Sequence, residues 1–217
     1  MRTELIVDDV RHSMTGSQVS LRVGEQCAEL LLDAVGQVVV DVAVARIAQR
    51  LELGETLSDA VGAVSNALTD MPGHTARARL TQGAWLLDDT AARTALDVRA
   101  SLRVLADLSR GSTRSFAVLG ELECAPADWF DDHDALGRIV VRLDVSQLIV
   151  VGDGARHLHN AAGLEGSWDG ESLLVGTVEE AYDVLRGQIG EGDVILVSAA
   201  SHAPLDLLVR RLMDAER

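Results

Sequence analysis

The stretch from Ser115 to Gly137 constrains the fold of this chain more than any other. Its apolar run, Phe116 to Leu119, ends at Gly120, and a pattern of helical period begins near Trp129. A short aliphatic run that is closed by glycine and followed by a helix is typical of a strand that leads into a crossover helix. The chain after this stretch repeats the arrangement, and such alternation predicts a parallel sheet.

The alternation predicts five strands after residue 82, each followed by a helix. The predicted strands are 84–88, 115–119, 147–151, 172–175 and 193–197, and the predicted helices are 95–108, 129–143, 155–162, 178–189 and 204–215. Five such units form a doubly wound, mainly parallel, Rossmann-like α/β sheet, which binds ligands at the carboxyl ends of its strands. We therefore expect the ligand edge in the loops after Leu87, Leu119, Val151, Val175 and Val197.

The first part of the chain has a different pattern. Three short apolar runs, 4–10, 18–23 and 27–35, predict a small antiparallel β-meander, and helical periods at 38–53 and 57–68 predict a helical hairpin. Pro72 and Gly73 interrupt the helical pattern. We place one domain at residues 1–82 and a second at 83–217, with 76–81 as a strand that links them.

Composition excludes several classes of function. The chain has 217 residues, of which 47% are apolar, and its net charge at pH 7 is −15. Such an acidic protein is not expected to bind nucleic acid, because phosphates are bound by clustered Lys and Arg. With no long apolar segment, no recognisable export signal and only Cys27 and Cys124, we expect a cytoplasmic protein that contacts no membrane and forms no disulfide.

All 19 positively charged side chains are arginine, since the chain contains no lysine. A Walker-A loop requires a lysine to reach the β- and γ-phosphates, and Schiff-base chemistry requires an amine. The sequence excludes both mechanisms for this chain alone.

Several segments resemble the Mur ligase family. Two segments resemble motifs of its C-terminal domain. They are Val118-Leu119-Gly120-Glu121-Leu122, which is followed by His133 and Gly137, and the later segment 148–156. Three more segments resemble other parts of the family. Segment 192–197 resembles its last strand, 86–90 resembles the opening strand of its third domain, and 36–53 resembles a central-domain helix. The resemblance covers nearly the whole chain but only about the C-terminal half of a full ligase, and it implies ATP-dependent amide-bond formation with magnesium in cell-wall synthesis.

The chain departs from the family pattern at positions where the resemblance implies catalytic contacts. A nucleotide-contacting Tyr-Asn-Ala-Asn-Pro segment falls on 91–95, Ala-Ala-Arg-Thr-Ala, and a Lys-x-Ser-Arg motif falls on 198–201, Ser-Ala-Ala-Ser. A central-domain His and Asn fall on Val38 and Asp41, and a Gly-Arg motif falls on 73–74, Gly-His. Phosphoryl transfer requires cations near the transferred group. We therefore expect these motifs to be degenerate and the chain alone to lack ATP-dependent ligase activity.

The candidate site residues follow the predicted strands or lie on the helices behind them. The ligand-edge candidates are Asp89, Arg93, Glu121, His133, Ser198 and Ser201, and the phosphate-loop candidates are Gly152 and Gly154. Asp89 can orient a ribose or a cation, with helix capping or solvation as the alternative. For the two glycines the alternative is a tight turn between strand and helix. His157 and His159 point to different helix faces, and we predict no metal site.

Three functions remain open at this point. The first is a truncated Mur-ligase-like protein that serves as a binding or partner subunit in cell-wall or related amide-ligation metabolism. The second is half of a split ligase, in which a partner chain completes the ATP and magnesium site. The third is a small-molecule enzyme or binder newly evolved on the sheet, which would use Arg93, His133 and Ser198 or Ser201. For the chain alone we predict no catalytic residue and no cofactor, and we expect a homo-oligomer or a protein partner to cover an apolar face within residues 1–54.

Overall fold

The computed structural model describes residues 4–65, 67–110, 114–165, 171–199 and 201–214, and the structural statements below refer to these residues. The chain divides into two compact units, Met1–Met71 and Pro72–Arg217. A domain boundary after residue 82 stays a prediction. No helix in the described ranges is long and apolar enough to cross a membrane.

The first unit is the predicted meander followed by two helices. Its elements are β1 (Leu5–Ser13), β2 (Gly16–Val23), β3 (Gln26–Leu32), α1 (Gln37–Glu52) and α2 (Leu57–Ser65). The strands pair antiparallel in the order β1-β2-β3. Because side chains alternate along a strand, Val19, Leu21 and Leu30 share one face, where they form a core with Val40 and Ile47 of α1.

The outer face of the meander is mostly polar. Arg22 pairs with Asp8 through two hydrogen bonds, and Ser20 and Gln18 donate to Glu29 on the neighbouring strand. These cross-strand pairs leave Leu31 as an isolated exposed apolar side chain on β3. The apolar face expected within residues 1–54 therefore does not lie on this side of the meander.

The second unit is the predicted α/β domain. Its elements are β4 (Ala76–Arg79), β5 (Trp85–Asp89), α3 (Ala95–Ser109), β6 (Ser115–Leu119), α4 (Trp129–Arg142), β7 (Gln147–Val151), a 3₁₀ turn (Asp153–Ala155), α5 (Arg156–Leu164), β8 (Ser172–Val175), α6 (Val178–Arg186), β9 (Val194–Ser198) and α7 (Leu205–Asp214). The sheet order is β4-β5-β9-β6-β7-β8. All neighbours pair parallel except β4, which is antiparallel to β5. The strand expected to link two domains is therefore an edge strand of this sheet.

Helices cover both faces of the sheet, which confirms the doubly wound architecture. Phe116, Ile149 and Ile195 point to the face covered by α6 and α7, where Ala181 and Leu208 complete the cluster. On the other face, α3 packs against β9 and α4, and α5 packs against α4, β7 and β8. The sheet is therefore buried on both sides, as expected for parallel strands with nearly continuous apolar runs.

Candidate functional site

The carboxyl ends of β5, β9 and β6 lie side by side at one edge of the second unit. The helix after β6 covers one face of the sheet and the helix after β9 covers the other, so the winding direction changes here. In open α/β sheets this is the position at which ligands bind. Gly120 lets the loop after β6 approach the loop after β9, because a Cβ atom at this position would overlap the carbonyl oxygen of Ala199.

Asp89 and Ser198 meet at this edge as paired residues of β5 and β9. The Ser198 hydroxyl donates to Oδ2 of Asp89 at 2.6 Å, and the two residues are 0% and 3% exposed. The hydroxyl of Ser101 and the backbone N–H of Thr75 also bond to the carboxyl group. Asp89 therefore ties β5 to β9, to α3 and to the segment before β4, and it is closed off from solvent.

Burial raises the pKa of Asp89 to about 7, since a carboxylate inside the protein loses its hydration. The hydrogen bonds from Ser198, Ser101 and Thr75 favour the charged form and oppose this shift, whereas the neighbouring charge of Asp88 adds to it. Asp89 can therefore gain or lose a proton near neutral pH, although its surroundings leave no room for a ligand at the carboxyl group.

Glu121 lies at the mouth of the loop after β6. Its Oε1 accepts a hydrogen bond from the Trp129 indole at 3.3 Å, and its Oε2 lies 3.8 Å from Nδ1 of His202. The backbone of Gly154 approaches this carboxylate so closely that a Cβ atom there would overlap Oε2. Gly152 has φ 89° and donates its N–H to Val175. The phosphate loop stays a prediction, and the carboxylate of Glu121 lies against the turn that would have to bind the phosphate.

His133 is fully buried behind the loop that follows β6. Its Nε2 accepts the backbone N–H of Leu122 at 3.3 Å, and its Nδ1 bonds to the carbonyl oxygen of Trp129 at 2.6 Å, which assigns the proton to Nδ1. Burial lowers the pKa of the imidazole. His133 is therefore a neutral link between α4 and the loop after β6, with both nitrogens engaged.

Arg93 lies in the loop after β5, and Ser201 lies in the loop after β9. Arg93 is exposed and pairs with Glu123 at 3.3 Å, an arrangement that contributes little to stability. The next residue, Thr94, caps α3 in a capping box with Asp97. The hydroxyl oxygen of Ser201 is buried and has no partner among the described residues, and its neighbour, residue 200, lies outside them.

The structure separates the two histidines of α5. His159 bonds to Ser172 at 2.7 Å, whereas His157 stacks on Phe130 with ring centroids 4.0 Å apart. Nowhere in the described ranges do three His, Cys, Asp or Glu side chains group as they would to hold a metal ion.

Four residues at the edge were missed by the sequence analysis: Thr75, Ser101, Trp129 and His202. Thr75 and Ser101 contact Asp89 from segments far from it in the sequence, so no local pattern marks them. Trp129 begins the predicted helix that follows the loop of Glu121. An indole N–H close in sequence to an acidic loop is the one signal from which the Trp129–Glu121 hydrogen bond could have been predicted.

Comparison of the sequence with known proteins shows which enzymes the chain is similar to. No protein-family model matches the chain. Among curated proteins, the UDP-N-acetylmuramoyl-tripeptide–D-alanyl-D-alanine ligase of Mycobacterium leprae is 34% identical over 198 residues, which cover 83% of this chain and 37% of that enzyme. The Mycobacterium tuberculosis (strain H37Rv) enzyme of the same name is 32% identical over 205 residues, which cover 86% of this chain and 40% of the relative.

Solved structures agree in fold. MurF from Acinetobacter baumannii matches 97% of this chain and 45% of its own length, with a TM-score of 0.75 and 20% identity. MurF ligase from Thermotoga maritima in complex with ADP matches 97% of this chain and 46% of its own length, with a TM-score of 0.79 and 15% identity.

The chain spans less than half the length of each of these relatives. By sequence and by fold, it belongs to the Mur ligase family over the part of those enzymes that it spans.

Proposed function

We propose that this chain carries out no ATP-dependent ligation by itself and acts as a binding or partner subunit in amide-ligation metabolism of the kind for which its relatives are named. The observation that carries the proposal is the carboxylate of Glu121 against the turn at Gly154. A nucleotide phosphate at this turn would meet a negative charge held in place by the indole of Trp129.

The arginines next to the edge do not offset this charge. Arg93 pairs with Glu123, and Arg156 pairs with Asp153 at 2.6 Å, both at the exposed surface. Transfer of a phosphoryl group needs cations aimed at the charge that develops on its oxygens. The residues present do not fit Mg²⁺–ATP by themselves.

The structure gives little support to a small-molecule enzyme that would use Arg93, His133 and Ser198 or Ser201. Arg93 pairs with Glu123 at the surface, and the Ser201 hydroxyl is buried without a partner among the described residues. His133 and Ser198 are buried and already engaged, with two backbone groups and with Asp89. A reacting group must be within hydrogen-bond reach of substrate, which a fully buried and satisfied side chain is not.

A split ligase is the second candidate function, and one observation favours it. The chain matches the Thermotoga maritima ligase solved in complex with ADP along 97% of its length. In this alternative another chain supplies the missing cations, and the loops after β5, β6 and β9 line a shared ATP and magnesium site.

Isothermal titration calorimetry of the whole chain with ATP and Mg²⁺ tests the proposal. We expect no binding at micromolar concentrations, and weak binding to emerge in Glu121→Gln, which removes the charge but keeps the shape. Glu123→Gln is the matched control, because it removes an exposed charge from the same loop. Micromolar binding of Mg²⁺–ATP by the unmodified chain would overturn the proposal in favour of the split ligase.

A further inference from the structure

The first unit contains a groove between helix α1 and the end of the meander formed by the β2–β3 turn. The groove has a volume of about 1540 Å³. Small-molecule pockets usually have volumes of about 300–1000 Å³. The groove is therefore large enough for the side chains of a bound peptide segment.

The floor of the groove is apolar. It is formed largely by one stripe of α1, with Val44, Ala48 and Leu51 at helical spacing, and by Leu5 and Val23 of the meander. This stripe differs from the buried stripe of α1 that forms the core, Val39, Val40, Ala43 and Ile47. Val44 and Leu51 are partly buried at the border of that core, so the described part of the unit covers this second apolar stripe of α1 only partly. Amphipathic helices bind to protein grooves of this kind through anchors at i, i+3, i+4 and i+7.

The rim of the groove is acidic. Its charged residues are Glu4, Glu25, Asp41, Glu52 and Glu55, and the described lining includes no arginine or histidine. Arg50 neutralises Glu55 at 2.6 Å from outside the lining, and Glu52 has an interaction partner of its own. The hydrogen bond to Asp41 comes from the neutral amide of Gln37. Glu4 and Glu25 on one wall and Asp41 on the other therefore give a net negative field in the groove.

We infer that this groove binds an amphipathic helix of another protein, with Lys or Arg side chains on both sides of its apolar stripe. The inference rests on the proposed role as a partner subunit and names the chemistry of the partner. Complementary charge across an interface favours the correct partner and speeds association. A second copy of this chain fits poorly, because a protein with a net charge of −15 and no lysine would bring further negative charge to the groove.

Fluorescence anisotropy with two synthetic peptides tests the inference on the whole chain. The probe is a labelled helical peptide with a leucine stripe flanked by lysines, and its control carries glutamates in place of the lysines. We expect the lysine peptide to bind at least about tenfold more tightly than the glutamate peptide. The double variant Glu25→Arg/Asp41→Arg should weaken binding of the lysine peptide by about tenfold or more, with an unchanged far-UV circular dichroism spectrum.

A matched variant in the second unit controls for attraction to an acidic protein in general. Asp128→Arg/Asp131→Arg makes the same change in charge at exposed positions near the start of α4. This variant should bind the lysine peptide as the unmodified chain does. Equal weakening by both double variants, equal affinity for both peptides, or no binding of the lysine peptide would each overturn the inference.

Light scattering of the unmodified chain tests the rival occupant. A dimer that the groove variant abolishes would assign the groove to a second copy and overturn the inference. These outcomes are distinct from those of the ATP titration, since a chain that binds neither ATP nor the lysine peptide would retain the proposed function and lose only this groove.

Discussion

Replacing Asp89 by asparagine should remove a large pH dependence from the stability of the second unit. Asp89 is 3% exposed and its pKa is raised to about 7, mainly by burial. Asparagine has the same shape as the protonated acid. It can accept the N–H of Thr75 and donate to the hydroxyl of Ser198, so the variant retains hydrogen-bond partners without a titrating group.

The magnitude follows from the difference in pKa between the two states. The carboxyl group titrates near 3.8 when unperturbed and near 7 in the folded protein. Between these values the folded state binds one proton more than the unfolded state, so the free energy of unfolding falls as pH rises and levels off above pH 7. One pKa unit corresponds to about 1.4 kcal/mol, and the dependence is already levelling off at pH 7, so Asp89 accounts for a loss of about 2 kcal/mol between pH 5 and pH 7.

Titration of His133 changes the free energy of unfolding in the opposite direction to that of Asp89. Its pKa is lowered by burial, so the unfolded state binds more protons and stability rises with pH as this group is deprotonated. The imidazole is present in both the unmodified protein and Asp89→Asn. The difference in unfolding free energy between the two proteins at each pH therefore isolates the contribution of Asp89.

Urea unfolding followed by tryptophan fluorescence is the appropriate assay. All three tryptophans lie after residue 71, so their emission reports on the second unit. The stability of Asp89→Asn relative to the unmodified protein should rise by about 2 kcal/mol between pH 5 and pH 7. Curves that stay parallel over this range would refute the assignment of a raised pKa to Asp89.

Ser198→Ala provides an independent check of the same site. The Ser198 hydroxyl stabilises the charged form of Asp89, so its removal raises the pKa further. Hydrogen bonds to charged groups contribute about 1.5–3 kcal/mol, and the variant should lose about this much more stability at pH 8 than at pH 5. A loss that is independent of pH would contradict this role.

Three further substitutions test other contacts of the second unit by urea unfolding. Gly137→Ala should cost about 2–4 kcal/mol, because its Cβ would overlap the backbone of α5, whereas Gly163→Ala, in open space on that helix, should gain up to about 1 kcal/mol; equal effects would contradict the close approach. His133→Ala should cost about 2–4 kcal/mol, since it leaves the N–H of Leu122 and the carbonyl of Trp129 without their side-chain partner. A loss below about 1 kcal/mol would argue against His133 as a link between α4 and the loop after β6. Arg114→Ala should cost about 1–3 kcal/mol at pH 7, because it removes the ion pair of 2.7 Å to the buried carboxylate of Asp193, and a loss below about 0.5 kcal/mol would argue against a role of this pair in stability.

Much of the fold could be predicted from the sequence, because each element carries its own local signal. Strand β6 has the predicted bounds, Ser115–Leu119, since five buried residues in a row end at a glycine. Helix α6 ends at Arg186 and not at the predicted residue 189, because Gly187 stops the helix while the apolar period continues to Ile189 in the turn that follows. Periodicity alone cannot separate a last helical turn from a buried loop residue.

The candidate site could be predicted only in part, because it depends on which strands become neighbours. Asp89 and Ser198 were both candidates, but their mutual hydrogen bond joins residues 109 positions apart. Nothing local indicates that β9 lies next to β5. His133 was placed at the ligand edge from its position near the start of a helix, whereas the structure uses both its nitrogens to bind backbone groups.

The position of β9 has a consequence for how the protein is made. This strand occupies the middle of the sheet between β5 and β6, yet it is the last strand in the chain. While the ribosome is still synthesising residues 194–198, β5 and β6 have been released but cannot pair with the strand between them. Contacts between residues distant in sequence form slowly, and unpaired strand edges favour aggregation. Nascent chains halted before β9 should therefore be degraded or held by chaperones, and the second unit should become resistant to protease only after β9 has left the ribosome.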